Sequence, residues 1–186
     1  MNHIYKLPDF GEPWFTYPKL YKSMVEKFPS GSKFVEIGSW KGKSAAFMAV
    51  EIINSKKNIS FDCIDIWKID NKYIKDDNPE SNILYEIFIK NIQSLSNVIN
   101  PIRMDSIEAS KKYEDNSIDF VFIDANHDYD YVKKDIEAWF PKVKTGGVIA
   151  GHDYHKHWKG VVKAVDEFFL EKDVLFSEVC WIHNKI

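Results

Sequence analysis

Apolar residues in this chain occur in two kinds of stretch that take turns along it. Short, mainly apolar stretches cover residues 33–38, 59–66, 98–104, 118–123 and 148–150, most of a length that suits a buried strand. Between them, apolar residues recur three or four positions apart, the signature of a helix with one buried face. Residues 17–29 carry Leu20, Met24, Val25 and Phe28 in this way, and 43–54 form a strongly apolar helix. Residues 81–95 place Leu84, Ile87, Phe88, Ile92 and Leu95 on one side. Asp128 is the predicted N-cap of a helix bearing Val132, Ile136, Trp139 and Phe140, and a last helix shows Val161, Val162, Val165, Phe168 and Phe169. Residues 68–82 are polar with loop signals at Asp76, Asp77, Asn78 and Pro79, and 141–147 read as a stop and turn. Two short strands, 174–176 and 178–183, close the chain. Five alternations of strand and helix predict an α/β fold, a doubly wound, mostly parallel sheet with helices on both faces.

With 186 residues and neither repeat nor linker, the pattern predicts one main domain, residues 31–186, preceded by an aromatic-rich segment at 1–30. A formal charge of −3 leaves no basic excess for phosphates, which argues against a protein built to grip nucleic acid. No apolar run is long enough for a membrane span, and residues after Met1 lack a signal-peptide apolar core. Cys63 and Cys180 both fall inside predicted strands, as buried free thiols would. A cytoplasmic location is the expectation.

The chemistry begins at residues 33–44. Phe34, Val35 and Ile37 make the strand, Glu36 places a carboxylate near its tip, and Gly38 and Gly42 punctuate the turn into a helix. A carboxylate there is costly to bury without a partner, and a helix N-terminus after a glycine turn suits an anionic ligand group. A dinucleotide site asks for G-x-G-x-x-G, because the pyrophosphate must touch the backbone. Trp40 stands where the second glycine belongs, which disfavours an NAD(P)-linked oxidoreductase. A ligand with an ammonium, a carboxylate and a ribose tolerates that departure.

Glu36-Ile-Gly-Ser-Trp-Lys-Gly-Lys-Ser44 resembles the first motif of class I S-adenosylmethionine-dependent methyltransferases in its E-x-G-x-x-x-G form. The likeness continues at Asp65, at Asp105-Ser106, through Phe122-Ile-Asp-Ala-Asn-His127, and at Gly146-Gly-Val-Ile-Ala-Gly-His-Asp-Tyr154. The pattern is most similar to the small-molecule O-methyltransferase branch, with its catechol- and macrocin-type enzymes and cephalosporin-hydroxylase-like relatives. The resemblance implies a Rossmann-like sheet of about seven strands with the last one antiparallel, and S-adenosyl-L-methionine as cofactor. It implies that Glu36 holds the methionine ammonium beside Gly38, within a cofactor cradle that includes Ser39, Trp40, Gly42 and Ser44. Asp65 then binds the ribose hydroxyls, Asp105 and Ser106 face the adenine edge, and Asp124 completes the cofactor set.

In metal-dependent members, an aspartate after the fourth strand and two side chains after the fifth hold a divalent cation. The matching residues are Asp124, His152 and Asp153. An all-oxygen set suits magnesium, whereas the imidazole moves the preference toward manganese, iron or zinc. A competing role for His127 or His152 is that of metal-free general base. A third is an ordinary loop histidine. His155 and His157 extend the run and read as surface loop, and Asp135 with Trp139 reads as helix and core.

The leading expectation is methyl transfer to a small-molecule acceptor, at a hydroxyl oxygen of a sugar, polyketide or phenol. A noncatalytic S-adenosylmethionine-binding module is the alternative from another class. Three roles stand open for the aromatics Tyr5, Phe10, Trp14, Phe15 and Tyr17: a lid over the cofactor, internal packing, or the surface of a homodimer. The loop from Trp67 to Pro79 follows the ribose-binding strand, as a pocket wall or a solvated loop.

Overall fold

The computed structural model describes residues 1–11, 13–68, 81–170, 173–175 and 179–186, with the side chains of 173–175 excluded. Most of the expected pocket-lining loop, residues 69–80, lies outside the described residues.

The strands are β1 (Lys33–Ile37), β2 (Ser60–Asp65), β3 (Ile99–Arg103), β4 (Ile118–Ile123), β5 (Val143–Gly151), β6 (Asp173–Leu175) and β7 (Cys180–Asn184). They form one sheet in the order β3-β2-β1-β4-β5-β7-β6. The first five run parallel, and β7 is antiparallel to both β5 and β6. The helices are α1 (Pro18–Lys27), α2 (Lys43–Ser55), α3 (Ile83–Ile92), α4 (Ser106–Ser110), α5 (Tyr129–Trp139) and α6 (Lys159–Phe168).

Alternation along each strand separates two cores. Phe34, Phe61, Cys63, Phe120, Phe122 and Ala150 point to the side covered by α1, α2 and α3. Val35, Ile37, Ile64, Val121, Ile123 and Ile149 point to the other, covered by α4, α5 and α6. A strand sandwiched between helix layers is buried on both faces, which is why β4 is apolar from Phe120 to Ile123 on both sides. Both cysteines are buried thiols. No described helix is long and apolar enough to cross a membrane.

Three local expectations change. The predicted turn at 141–147 instead carries β5, which reaches back to Val143 because Gly146, at φ 81°, absorbs a register shift against β4. The short helix α4 follows β3, and Asp105 caps it by accepting from the backbone N–H groups of Ile107 and Glu108. Asp128 stands at the N-cap of α5, but its side chain makes no capping bond. Asn126 Oδ1 accepts the Asp128 N–H in its place.

The strand order reverses direction between β1 and β4, so the carboxyl ends of those neighbours open a crevice where ligands bind in sheets of this kind. Glu36 on β1, Asp124 just after β4 and Asp65 at the end of β2 all converge there.

Candidate active site

Gly38 and Gly42 both adopt positive φ, 85° and 84°. A Cβ on Gly38 would meet the Asp124 carbonyl oxygen at 2.1 Å, so this glycine is needed for contact between the β1 turn and the end of β4. Gly42 forms the N-cap of α2. Ser39 and Ser44 are buried on either side of it, and Trp40 is half-buried at φ 47°.

Glu36 is 1% exposed. Its Oε2 accepts from the Tyr21 hydroxyl at 2.6 Å, while among the described residues its Oε1 has no hydrogen-bond partner, and neither does the buried Ser39 Oγ. Burial raises the Glu36 pKa to about 7, with the Tyr21 hydrogen bond and the nearby Ser39 and Ser44 hydroxyls working in the opposite direction. A buried carboxylate oxygen left open is expensive unless a cation meets it. Among the described residues no side chain does, and an ammonium group of a cofactor fits that position.

Asp65 does something that its sequence position alone does not reveal. Oδ2 accepts the backbone N–H groups of both Ser39 and Trp40 at 3.0 Å, and Oδ1 accepts that of Trp67 at 2.7 Å. Burial raises its pKa, and these amides oppose the rise. Asp65 therefore braces the glycine turn. Asp105 is committed to its helix cap, and Ser106 Oγ accepts the Trp139 indole N–H at 2.8 Å.

The second constellation lies after β4 and β5. His127 Nε2 and Asp153 Oδ2 are 2.6 Å apart. His152 Nδ1 lies 3.3 Å from the same Asp153 oxygen and 3.9 Å from Asp124 Oδ1. Asp124, His152 and Asp153 each offer one ligand atom, and these lie within 4.8 Å of one another. Asp153 sits at φ 58°, a left-handed conformation that aspartate tolerates better than most residues. Burial disfavours charge on both histidines, yet the Asp153 hydrogen bond and the nearby carboxylates outweigh it and raise their pKa values. Hydrogen bonds from the same histidines outweigh the burial of Asp153 and hold it below the usual carboxylate range. Burial pushes Asp124 up, and the Asp153 charge adds to the rise. The indole of Trp158 stacks on His127 at 4.2 Å. His155 and His157 touch each other edge to face, and neither belongs to the cluster.

Sequence reasoning missed the residues that hold these two acids. Tyr17 donates its hydroxyl to Asp124 Oδ2 at 2.8 Å, as Tyr21 does to Glu36. Thr16 Oγ1 lies 2.9 Å from His152 Nε2. The readable signal was the four-residue spacing of the tyrosines, which places both phenols on one face of α1. The other N-terminal aromatics pack inward: Phe10 is buried, and Tyr5 and Phe15 contact Phe47 of α2 at 5.3 and 5.2 Å. Trp14 remains 45% exposed, 6.1 Å from the Trp40 ring.

Solved structures resemble this fold along most of its length. An S-adenosylmethionine-dependent O-methyltransferase from Thermotoga maritima matches with TM-score 0.61 and 12% identity, over 91% of this chain and 64% of that one. The TDP-rhamnose 3'-O-methyltransferase CalS11 of calicheamicin biosynthesis gives 0.63 and 14%, over 90% and 76%. A Podospora anserina methyltransferase bound to S-adenosylhomocysteine gives 0.63 and 16%, over 91% and 78%. At such identities the likeness establishes the fold. No curated protein matches the chain. Residues 35–154, well over half the sequence and spanning the whole constellation from Glu36 to Asp153, match the methyltransferase domain family, and the chain belongs to that family.

Proposed function

We propose that the protein transfers a methyl group from S-adenosylmethionine to a hydroxyl oxygen of a small-molecule acceptor. One observation carries the reading: the buried Glu36 Oε1, without a hydrogen-bond partner among the described residues, stands beside the Gly38 turn, next to a separate acid–histidine cluster at the end of the neighbouring strand. The first fits a methionine ammonium, and the second fits an acceptor that must lose a proton. The N-terminus of α2, capped by Gly42, suits the cofactor carboxylate. Ser39, Trp40, Gly42 and Ser44 line that approach. Asp65 keeps the turn in shape and uses its remaining Oδ1 capacity for a ribose hydroxyl. The Asp105–Ser106 corner flanks the adenine. The O-methyltransferases that share the fold, CalS11 among them, support a hydroxyl acceptor.

Asp124, His152 and Asp153 are the residues that hold a divalent cation, and their mixed nitrogen and oxygen donors favour manganese, iron or zinc over magnesium. Such an ion lowers the pKa of an acceptor hydroxyl. His127, oriented by Asp153 at 2.6 Å, supports a second reading in which an imidazole takes the acceptor proton. In either case the chain's main contribution is alignment of the two reactants. The N-terminal segment 1–30 covers the acceptor side through Thr16 and Tyr17.

Calorimetry with S-adenosylhomocysteine, with and without manganese, tests the cofactor half, and homocysteine-linked turnover over phenols and sugars tests the transfer. Cofactor binding without turnover on any acceptor would favour a noncatalytic binding module.

A further inference from the structure

A carboxylate has two oxygens, and at two places in this fold a tyrosine takes one and leaves the other facing the site. Tyr21 binds Glu36 Oε2, and Oε1 remains buried without a hydrogen-bond partner among the described residues. Tyr17 binds Asp124 Oδ2, and Oδ1 faces His152 Nδ1 at 3.9 Å and His127 Nε2 at 4.0 Å. Neither ring has room to swing aside. Tyr21 is 0% and Tyr17 2% exposed, their centroids lie 5.0 Å apart, and both contact Phe122 on β4. Thr16 completes the arrangement by engaging His152 Nε2, which leaves Nδ1 for Asp124 and Asp153.

We propose that Tyr17 and Tyr21 are paired positioning residues, Tyr21 turning Glu36 Oε1 toward the cofactor ammonium and Tyr17 turning Asp124 Oδ1 toward the acceptor side. The proposal rests on the roles given above to Glu36 and Asp124. It makes the start of α1 part of the site's framework, where the sequence suggested a lid, packing or a dimer surface. One helix thereby sets the cofactor half and the acceptor half relative to each other. Burial and the adjoining Glu36 carboxylate push the Tyr21 phenol well above its ordinary pKa, so it stays protonated and keeps donating at neutral pH.

Tyr21→Phe and Tyr17→Phe each remove one hydroxyl and keep the ring. In the full chain, S-adenosylhomocysteine binding is measured by calorimetry across neutral pH, and manganese binding by electron paramagnetic resonance. Tyr21→Phe is expected to weaken S-adenosylhomocysteine about tenfold, the loss typical of a partner that orients a ligand-binding group, with manganese affinity unchanged. It also shifts the midpoint of the pH dependence upward, because the phenol favours ionised Glu36. The titratable groups facing Glu36 are Tyr17 at the N-cap of α1, Tyr21 within it, Cys63 from β2 and Asp124 from beyond β4, and only Tyr21 changes. Tyr17→Phe is expected to weaken manganese about tenfold and leave S-adenosylhomocysteine unchanged.

If both variants merely lower thermal stability, with neither affinity nor midpoint moved, the tyrosines are core hydrogen bonds and the proposal is wrong. A wild type that does not bind manganese overturns the Tyr17 half. Glu36→Gln and Asp124→Asn serve as controls. If they leave the affinities intact, the roles assigned to those acids have failed. If they weaken binding and the phenylalanine variants do not, the pairing itself has failed.

Discussion

Asp65 and Trp40 hold each other through two routes. The Trp40 amide donates to Asp65 Oδ2 at 3.0 Å, and Trp67, two residues beyond Asp65, returns its indole N–H to the Trp40 carbonyl at 2.8 Å. Trp67 is fully buried against Phe88 and Tyr85, so β2, the glycine turn and α3 are tied at one point. Asp65→Ala strips the acceptor from three backbone amides and is expected to cost about 2–4 kcal/mol in urea unfolding. Cofactor affinity should fall with it. A variant of wild-type stability that has lost only the ribose contribution would show that bracing is not the role of Asp65.

With the cofactor ammonium at Glu36, as proposed, binding is expected to be linked to protons. Its pKa is about 7 because burial disfavours the charge. An ammonium bound at Oε1 favours the ionised form, so binding releases a proton near and below neutral pH. Affinity for S-adenosylhomocysteine is expected to rise with pH and level off above about 7. Calorimetry in buffers of different ionisation enthalpy measures the released proton, and Glu36→Gln should abolish it.

Asp135 gives a stability prediction of definite sign. It is 5% exposed on α5, and burial raises its pKa to about 6 from 3.8. The folded state therefore favours the neutral acid. That contribution is full below the unfolded pKa and is lost as pH rises through the folded one. Asp135→Asn should stabilise the protein by about 1–3 kcal/mol at pH near 8 and change little near 4. Equal effects at both pH values would mean that the acid is not titrating.

The acid–histidine cluster separates its two chemistries by substitution. Under the metal reading, a chelator and Asp153→Ala should each lower turnover by about a hundredfold, with manganese restoring the chelated enzyme better than magnesium. Under the general-base reading, His127→Ala lowers turnover while a chelator has no effect. Full activity in Asp124→Ala would contradict the metal reading.

Gly38→Ala forces a Cβ onto the Asp124 carbonyl at a positive φ. A loss of about 2–5 kcal/mol is expected from strain and overlap together. Thermal unfolding of the variant checks it.

Much of this molecule could be read in advance because strand ends announce themselves. Glu36, Asp65, Asp105 and Asp124 each close an apolar run, so their convergence at one edge follows once the sheet is parallel. The grouping of His152 and Asp153 with Asp124 follows from the pairing of β4 with β5. What stayed hidden were the partners. Nothing local reveals that Asp65 receives the turn's own amides, or that Tyr17 reaches an acid 107 positions away. The β5 extension was missed because a glycine pair in a bulge looks the same as one in a turn.

The placement of β1 beside β4 also governs when the site comes into being during folding. A chain that has formed only β1, β2 and β3 can join Tyr21 to Glu36, a contact between positions 15 apart. It has nothing to offer Tyr17 until β4 docks. The Glu36 contact is thus expected to assemble early, from local contacts, whereas the Asp124 contact needs the closure of a much longer loop. Partly folded chains would carry half a site and no catalytic capacity.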